Sequence, residues 1–137
     1  MSKPLITVQK ILCCFIVGVF ISLATKSYAE TGLASWYSIK SCKKEGTWQK
    51  YKGRCASGEK FDDKKMCAAS WDYPFKTKVR VTNTQNGRSV VAIVCDRGPN
   101  KKLYKKGRKI DLSRKAFELL APLSQGIITC KIEVVND

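Results

Sequence analysis

The sequence predicts a small, mainly β barrel with one or two short helices. Three observations carry that expectation. The chain has 137 residues, and an expected leader over 1–29 leaves 108, enough for one domain and not for two. Its apolar segments are short, and either alternate with polar residues or are β-branched. Turn signals built on Gly, Pro and Asn separate them at close intervals. There is no internal repeat and no low-complexity tract.

At the N-terminus, Lys3 and Lys10 precede an apolar run from Ile11 to Ala24 that only Ser22 interrupts. Ser27-Tyr28-Ala29 then gives a small-x-small ending. This is the three-part pattern of a secretory signal, with cleavage expected before Glu30. The run falls short of the roughly 20 residues of a bilayer span. The expectation is a signal peptide over 1–29, a barrel domain over 30–137, a periplasmic or secreted location, and no stable membrane anchor after cleavage.

Ala34 to Ser38, small and aromatic, reads as a first strand. Residues 39–54 are rich in Lys and Arg around Trp48 and Tyr51 and keep no period, so they read as an exposed basic loop. Ala56-Ser57-Gly58-Glu59 is a turn leading to Phe61, and Met66 to Ala69 a short apolar strand. Lys78-Val79-Arg80-Val81-Thr82 alternates as a half-buried strand does. Asn86-Gly87 then signals a hairpin. Val90 to Val94, continuously apolar and β-branched, suits a strand buried on both faces. Asp96-Arg97-Gly98-Pro99 breaks it. Lys101 to Lys109 is irregular, and Ile110-Asp111-Leu112 leads into a short helix. Ser113 is its expected N-cap, with Leu112 and Phe117 spaced as a hydrophobic staple. Pro122 stops it, and Gly126 opens a last strand from Ile127 to Val135.

Lys and Arg number 26 against 11 acids. Three of the basic residues and none of the acids fall in 1–29, leaving the exported part at +12. Such a charge favours polyanionic partners; an exported protein meets acidic wall polymers and anionic membrane faces more readily than nucleic acid, and none of the last is expected. Cys42, Cys55, Cys67, Cys95 and Cys130 are disulfide candidates outside the cytoplasm. Their odd number leaves one thiol over. Cys42 and Cys55 flank the basic loop, and a bridge between them is one hypothesis. The chain has no His and no CxxC, so neither a metal site nor an imidazole-based catalytic scheme is expected.

Taken together, five segments resemble the rare lipoprotein A family. They are Gly32-Leu33-Ala34-Ser35-Trp36-Tyr37, Ala56-Ser57-Gly58-Glu59-x-Phe61-Asp62, Val79 to Asn83 with Asn86 to Val90, Asp96-Arg97-Gly98-Pro99, and Ile110-Asp111-Leu112-Ser113. The resemblance spans about Gly32 to Val135. It implies a six-stranded double-psi β-barrel and an endolytic peptidoglycan lytic transglycosylase without a cofactor. Such enzymes cut denuded glycan strands between N-acetylmuramic acid and N-acetylglucosamine, leaving 1,6-anhydromuramyl ends.

The same resemblance implies that Asp96 is the acid that protonates the glycosidic oxygen and then the base that helps the 6-hydroxyl close the ring. It places Glu59 at a second acidic position, to orient the sugar or stabilise charge at C1. Ser70 stands where the family has an active-site His. Ser70, Arg97, Trp36 and Tyr37 are candidate substrate contacts; Arg97 reads equally as a partner of Glu59 or Asp96, one of Trp36 and Tyr37 equally as core packing, and Asp111 as structural. Peptidoglycan strands are the expected partner, with other anionic wall polymers as further candidates, and the protein is expected to be a monomer. The alternative reading is a non-catalytic wall-polysaccharide-binding barrel, because serine cannot carry the charge of a His. A third is a secreted interaction protein that uses the basic loop.

Overall fold

A computed structural model describes residues 28–136. The expected leader therefore lies, but for its last two residues, outside the described residues. Six strands close into a barrel: β1 (Glu30–Tyr37), β2 (Cys67–Ser70), β3 (Lys78–Asn83), β4 (Ser89–Asp96), β5 (Arg108–Ser113) and β6 (Ile127–Val134). Their order around the barrel is β1-β5-β2-β4-β3-β6. β1 runs parallel to β5 and β2 parallel to β4, and the other pairs are antiparallel. Closure leaves no unpaired sheet edge. Among the described residues no helix is long and apolar enough to cross a membrane.

The hairpin of β3 and β4 forms as the alternation and Asn86-Gly87 predict, with Val81 opposite Val90. β4 departs from the expectation in one respect. It alternates, with Val91 and Ile93 exposed and Val90, Ala92 and Val94 buried. Val91 and Ile93 on the outer face stay exposed among the described residues, and a β-branched run alone does not reveal which face is covered. The interior is filled by Val79, Val81, Val94, Ile110, Leu112, Ile128 and Ile132, and Phe117 plugs it from outside the sheet.

Phe117 sits on α4 (Arg114–Glu118). Its N-cap is Ser113, as expected, whose Oγ accepts from the Ala116 amide. Leu112 and Phe117 are both fully buried on either side of that cap. Asn83 ends β3 with its side chain inside. Its Nδ2 donates to the Leu120 carbonyl at 3.0 Å, which ties the helix to the hairpin and gives this buried amide a partner.

Two segments read as irregular are helical. Residues 39–54 contain α1 (Ile39–Lys44) and α2 (Thr47–Lys50), and 101–109 contain α3 (Lys101–Lys105) before β5 begins. Ile110-Asp111-Leu112 belongs to β5, which leads directly into α4 through Ser113. α1 starts from a reciprocal cap in which Ser38 and Ser41 each bond the other's backbone. No residue of α1, α2 or α3 is fully buried. Without an apolar stripe no helical period shows in the sequence.

The α1–α2 segment is seated by Trp48, which packs against a second small core of Cys55, Phe61, Cys67 and Cys95. Gly53 makes that seat possible. Its φ is +67°, and an added Cβ would lie 2.8 Å from Trp48 Cζ2. Gly53→Ala should therefore cost about 1–2 kcal/mol through left-handed strain and displacement of the indole. Thermal unfolding checks this, and an unchanged midpoint would refute the seating.

Candidate active site

Asp96 is the last residue of β4, and a β-bulge aims it. Cys67 pairs with Ile93 and Ala68 with Val94, but Ala69 pairs with Asp96, so Cys95 is the extra residue. Val94 and Cys95 are consequently both buried in succession, and Asp96 is turned out at the barrel end. Bulges next to active sites serve this purpose. Asp96 Oδ1 accepts from the Ala56 amide at 2.8 Å and the Arg97 amide at 2.9 Å. Among the described residues Oδ2 has no hydrogen-bond partner. Burial raises the Asp96 pKa above the ordinary carboxylate range, against the lowering effect of the two amides and the nearby Arg97 charge.

Asp96 lines a cleft of about 490 Å³. The barrel supplies Tyr37, Ala69, Asp96 and Asp111; the α1–α2 segment and the turn after it supply Cys42, Glu45, Trp48 and Tyr51; Trp71 and Pro99 come from other turns. Asp111, read from sequence as structural, shares this cleft. Its Oδ1 accepts from Arg108 Nε at 2.7 Å. Burial raises its pKa too, opposed by the Arg108 charge. Gly98 lets the two acidic segments approach. A Cβ there would lie 3.3 Å from Ala69 Cβ and 3.8 Å from Asp111 Oδ2.

The other expected contacts are distributed differently. Glu59 is exposed and is not among the residues lining the cleft; its backbone carbonyl accepts from the Cys55 amide. Ser70 is fully buried. Its Oγ accepts from the Asp72 amide, and its carbonyl accepts from Arg97. Arg97 lines the cleft, but its Nη1 is engaged by the Ser70 and Tyr73 carbonyls at 2.8 and 2.9 Å. The guanidinium lies 3.8 Å over the Phe75 ring. It organises the 70–75 turn and pairs with neither acid directly.

Trp36 packs on the barrel core and donates Nε1 to the Leu123 carbonyl, away from the cleft. Tyr37 does line the cleft, stacked on Phe61 at 4.6 Å between centroids. Its hydroxyl is buried with no hydrogen-bond partner of standard geometry. Burial, with Cys67 and Cys95 nearby, raises its pKa well above the ordinary phenol range.

Trp71 was not singled out in the sequence. It is 41% exposed at the cleft, and its Nε1 donates to the Pro99 carbonyl at 2.7 Å. A ring fixed in this way is a ready stacking surface for a sugar. Its one sequence signal was an aromatic next to Ser70. Among the described residues no cluster of potential ligands could hold a metal ion.

The family model described as lytic transglycolase matches residues 29–132. An endolytic peptidoglycan transglycosylase RlpA of Rickettsia felis is 44% identical over 110 residues, covering 80% of this chain and 44% of that protein. A probable one of Nostoc sp. is 43% identical over 106 residues, covering 77% and 25%. One of Vibrio cholerae is 38% identical over 112 residues, covering 81% and 37%. The chain thus spans less than half the length of each of these relatives.

Among solved structures, a Streptomyces papain inhibitor superposes with TM-score 0.57 at 26% identity, covering 80% of this chain and 96% of the inhibitor. A Clavibacter michiganensis expansin superposes with TM-score 0.56 at 22% identity, covering 80% and 52%. That second likeness speaks to fold alone. With its six-stranded double-psi β-barrel and a match over nearly the whole described domain, the chain belongs to the lytic transglycolase family of RlpA-like proteins.

Proposed function

We propose that this protein is an endolytic peptidoglycan lytic transglycosylase that works outside the cytoplasm on glycan strands, preferably denuded ones. The observation that carries the reading is Asp96. One oxygen is fixed by two amides, the other is unpaired, and burial favours the protonated form in an open cleft. Protonated Oδ2 donates to the oxygen between N-acetylmuramic acid and N-acetylglucosamine as that bond breaks. The resulting carboxylate then takes the proton of the muramyl 6-hydroxyl as its oxygen bonds to C1. No water is consumed, and the acid is regenerated. Trp71 gives the strand an aromatic surface beside this acid. The names of the relatives supply the substrate class.

Mass analysis of denuded glycan strands after incubation with the protein should reveal 1,6-anhydromuramyl ends. The acid must be protonated to begin the reaction, so the rate should fall as pH rises through the raised Asp96 pKa. Wall binding without anhydro products, from folded protein at high concentration, would replace this reading with the non-catalytic barrel. The placement of Glu59 and Ser70 away from the cleft lining is what favours that second reading.

A further inference from the structure

Behind Asp96 lies a sulfur cluster that the proposed reaction does not use. Cys55, Cys67 and Cys95 are all buried and share one small core with Phe61. Cys55 Sγ and Cys95 Sγ stand 3.5 Å apart. A disulfide needs about 2.05 Å, a distance that side-chain rotation and a small turn movement can close. Each of these two cysteines adjoins a partner in the site. Cys55 precedes Ala56, whose amide holds Asp96 Oδ1, and Cys95 precedes Asp96 itself. The Ser57 amide also donates to the Cys95 carbonyl at 3.2 Å.

We propose that Cys55 and Cys95 form a disulfide that clasps the 55–60 turn to the end of β4 and so fixes the amide that holds the Asp96 carboxylate. Cys67 is the weaker partner for Cys95. It lies on β2 in register with Ile93, two residues away from Cys95, and its amide donates to Ser113 Oγ on the β5 side. Cys55 lies outside the barrel strands, on a turn held by its own Cys55–Glu59 and Gly58–Cys55 backbone bonds, so the turn can move as a unit to close the gap. Cys55 and Cys95 share a thiol hydrogen bond in which either sulfur can donate, and the neighbouring thiols lower the Cys95 pKa while those of Cys55 and Cys67 are raised.

The oxidant is a disulfide of low molecular weight. The Cys95 thiolate attacks one of its sulfurs and expels a thiolate. The Cys55 thiolate then attacks the Cys95 sulfur and expels the second. Two protein thiols lose two electrons and two protons, and one external disulfide becomes two thiols. Cys42, Cys67 and Cys130 remain as thiols, so the clasp replaces the Cys42–Cys55 bridge that the spacing alone suggested.

The test is a sulfur map of the exported protein purified without reductant, alkylated in denaturant, digested and analysed by mass. A Cys55–Cys95 linked peptide is expected, with Cys42, Cys67 and Cys130 alkylated. A Cys42–Cys55 link, a Cys67–Cys95 link or five alkylated cysteines would overturn the proposal. The consequence for the site rests on the catalytic reading and is measured separately. A phosphine reductant should lower glycan cleavage by about tenfold, a smaller penalty than the roughly hundredfold that a 1 Å misplacement can cost. The Cys55→Ala/Cys95→Ala variant should match the reduced rate and ignore the reductant; cleavage unaffected by reductant would refute the clasp's effect on the site. If neither redox state cleaves glycan, the catalytic reading fails while the map still decides the link.

Discussion

Asp96→Asn is expected to lower glycan cleavage by about 10³-fold or more while leaving the protein at least as stable as the parent. The two halves of this result have one cause. Asparagine keeps an oxygen that can accept from the Ala56 and Arg97 amides, so the turn and the end of β4 stay joined. It has no proton to give the glycosidic oxygen and no carboxylate to receive one from the 6-hydroxyl. On the stability side, burial holds the folded-state pKa of Asp96 above its ordinary value. Between the unfolded and folded pKa values the folded protein binds more protons, so stability is full below the first and declines as pH rises through the second. Asp96→Asn removes this group's share of the decline. Asp111 is shifted in the same direction and keeps its own share. Melting curves at several pH values, paired with rates of anhydromuramyl release, test both halves. Cleavage retained within tenfold would move the acid elsewhere, with Asp111 the next group to replace. A variant less stable than the parent at neutral pH would show that the carboxylate charge is better compensated than its surroundings indicate.

The parts of this fold that were legible in the sequence are those that alternation or a turn type dictates. The Asn86-Gly87 hairpin, the period of β6 and the Leu112–Phe117 staple around Ser113 each reflect contacts between near neighbours. The parts that were not legible depend on long-range geometry. The bulge opposite Ala68 and Ala69 decides that Cys95 packs into the second small core and Asp96 turns to the cleft, and no local pattern marks it. The α1–α2 wall has no buried stripe, because its anchor is one indole on Gly53. Asp111 reads as a helix-entry residue until β5 is paired beside β2, which brings it into the cleft with Asp96. The motif around Glu59 could be matched by residue type, but the direction of its side chain follows from the turn at Gly58, whose φ is +92°. Residue type and order located the acidic site; which acids reach the cleft is a property of the closed barrel.

Arg97→Met is expected to destabilise the protein by about 3 kcal/mol, and to do so through the 70–75 turn. A motif reading makes Arg97 a contact for the sugar, in which case its loss would weaken substrate binding and spare the fold. The structure gives its guanidinium other work. It donates to the Ser70 and Tyr73 carbonyls and covers the Phe75 ring. Hydrogen bonds to charged groups contribute about 1.5–3 kcal/mol each, and a cation over an aromatic ring about 0.5–2. These terms are not additive, and Met restores part of the packing over Phe75, so the total stays near the single-bond range. Ser70 is fully buried, so its carbonyl has no ready access to water once Arg97 is gone. Trp71 follows directly in the chain, and its ring should lose its fixed place beside Pro99. Cleavage should therefore fall together with stability, and Arg97→Lys should recover little of either. Both carbonyls are bonded by the single Nη1; a lysine ammonium ends about one bond short of that atom and lacks the flat guanidinium that stacks on the ring. Denaturant unfolding of the two variants separates the roles. A midpoint unchanged in Arg97→Met, with only KM raised, would return Arg97 to the substrate.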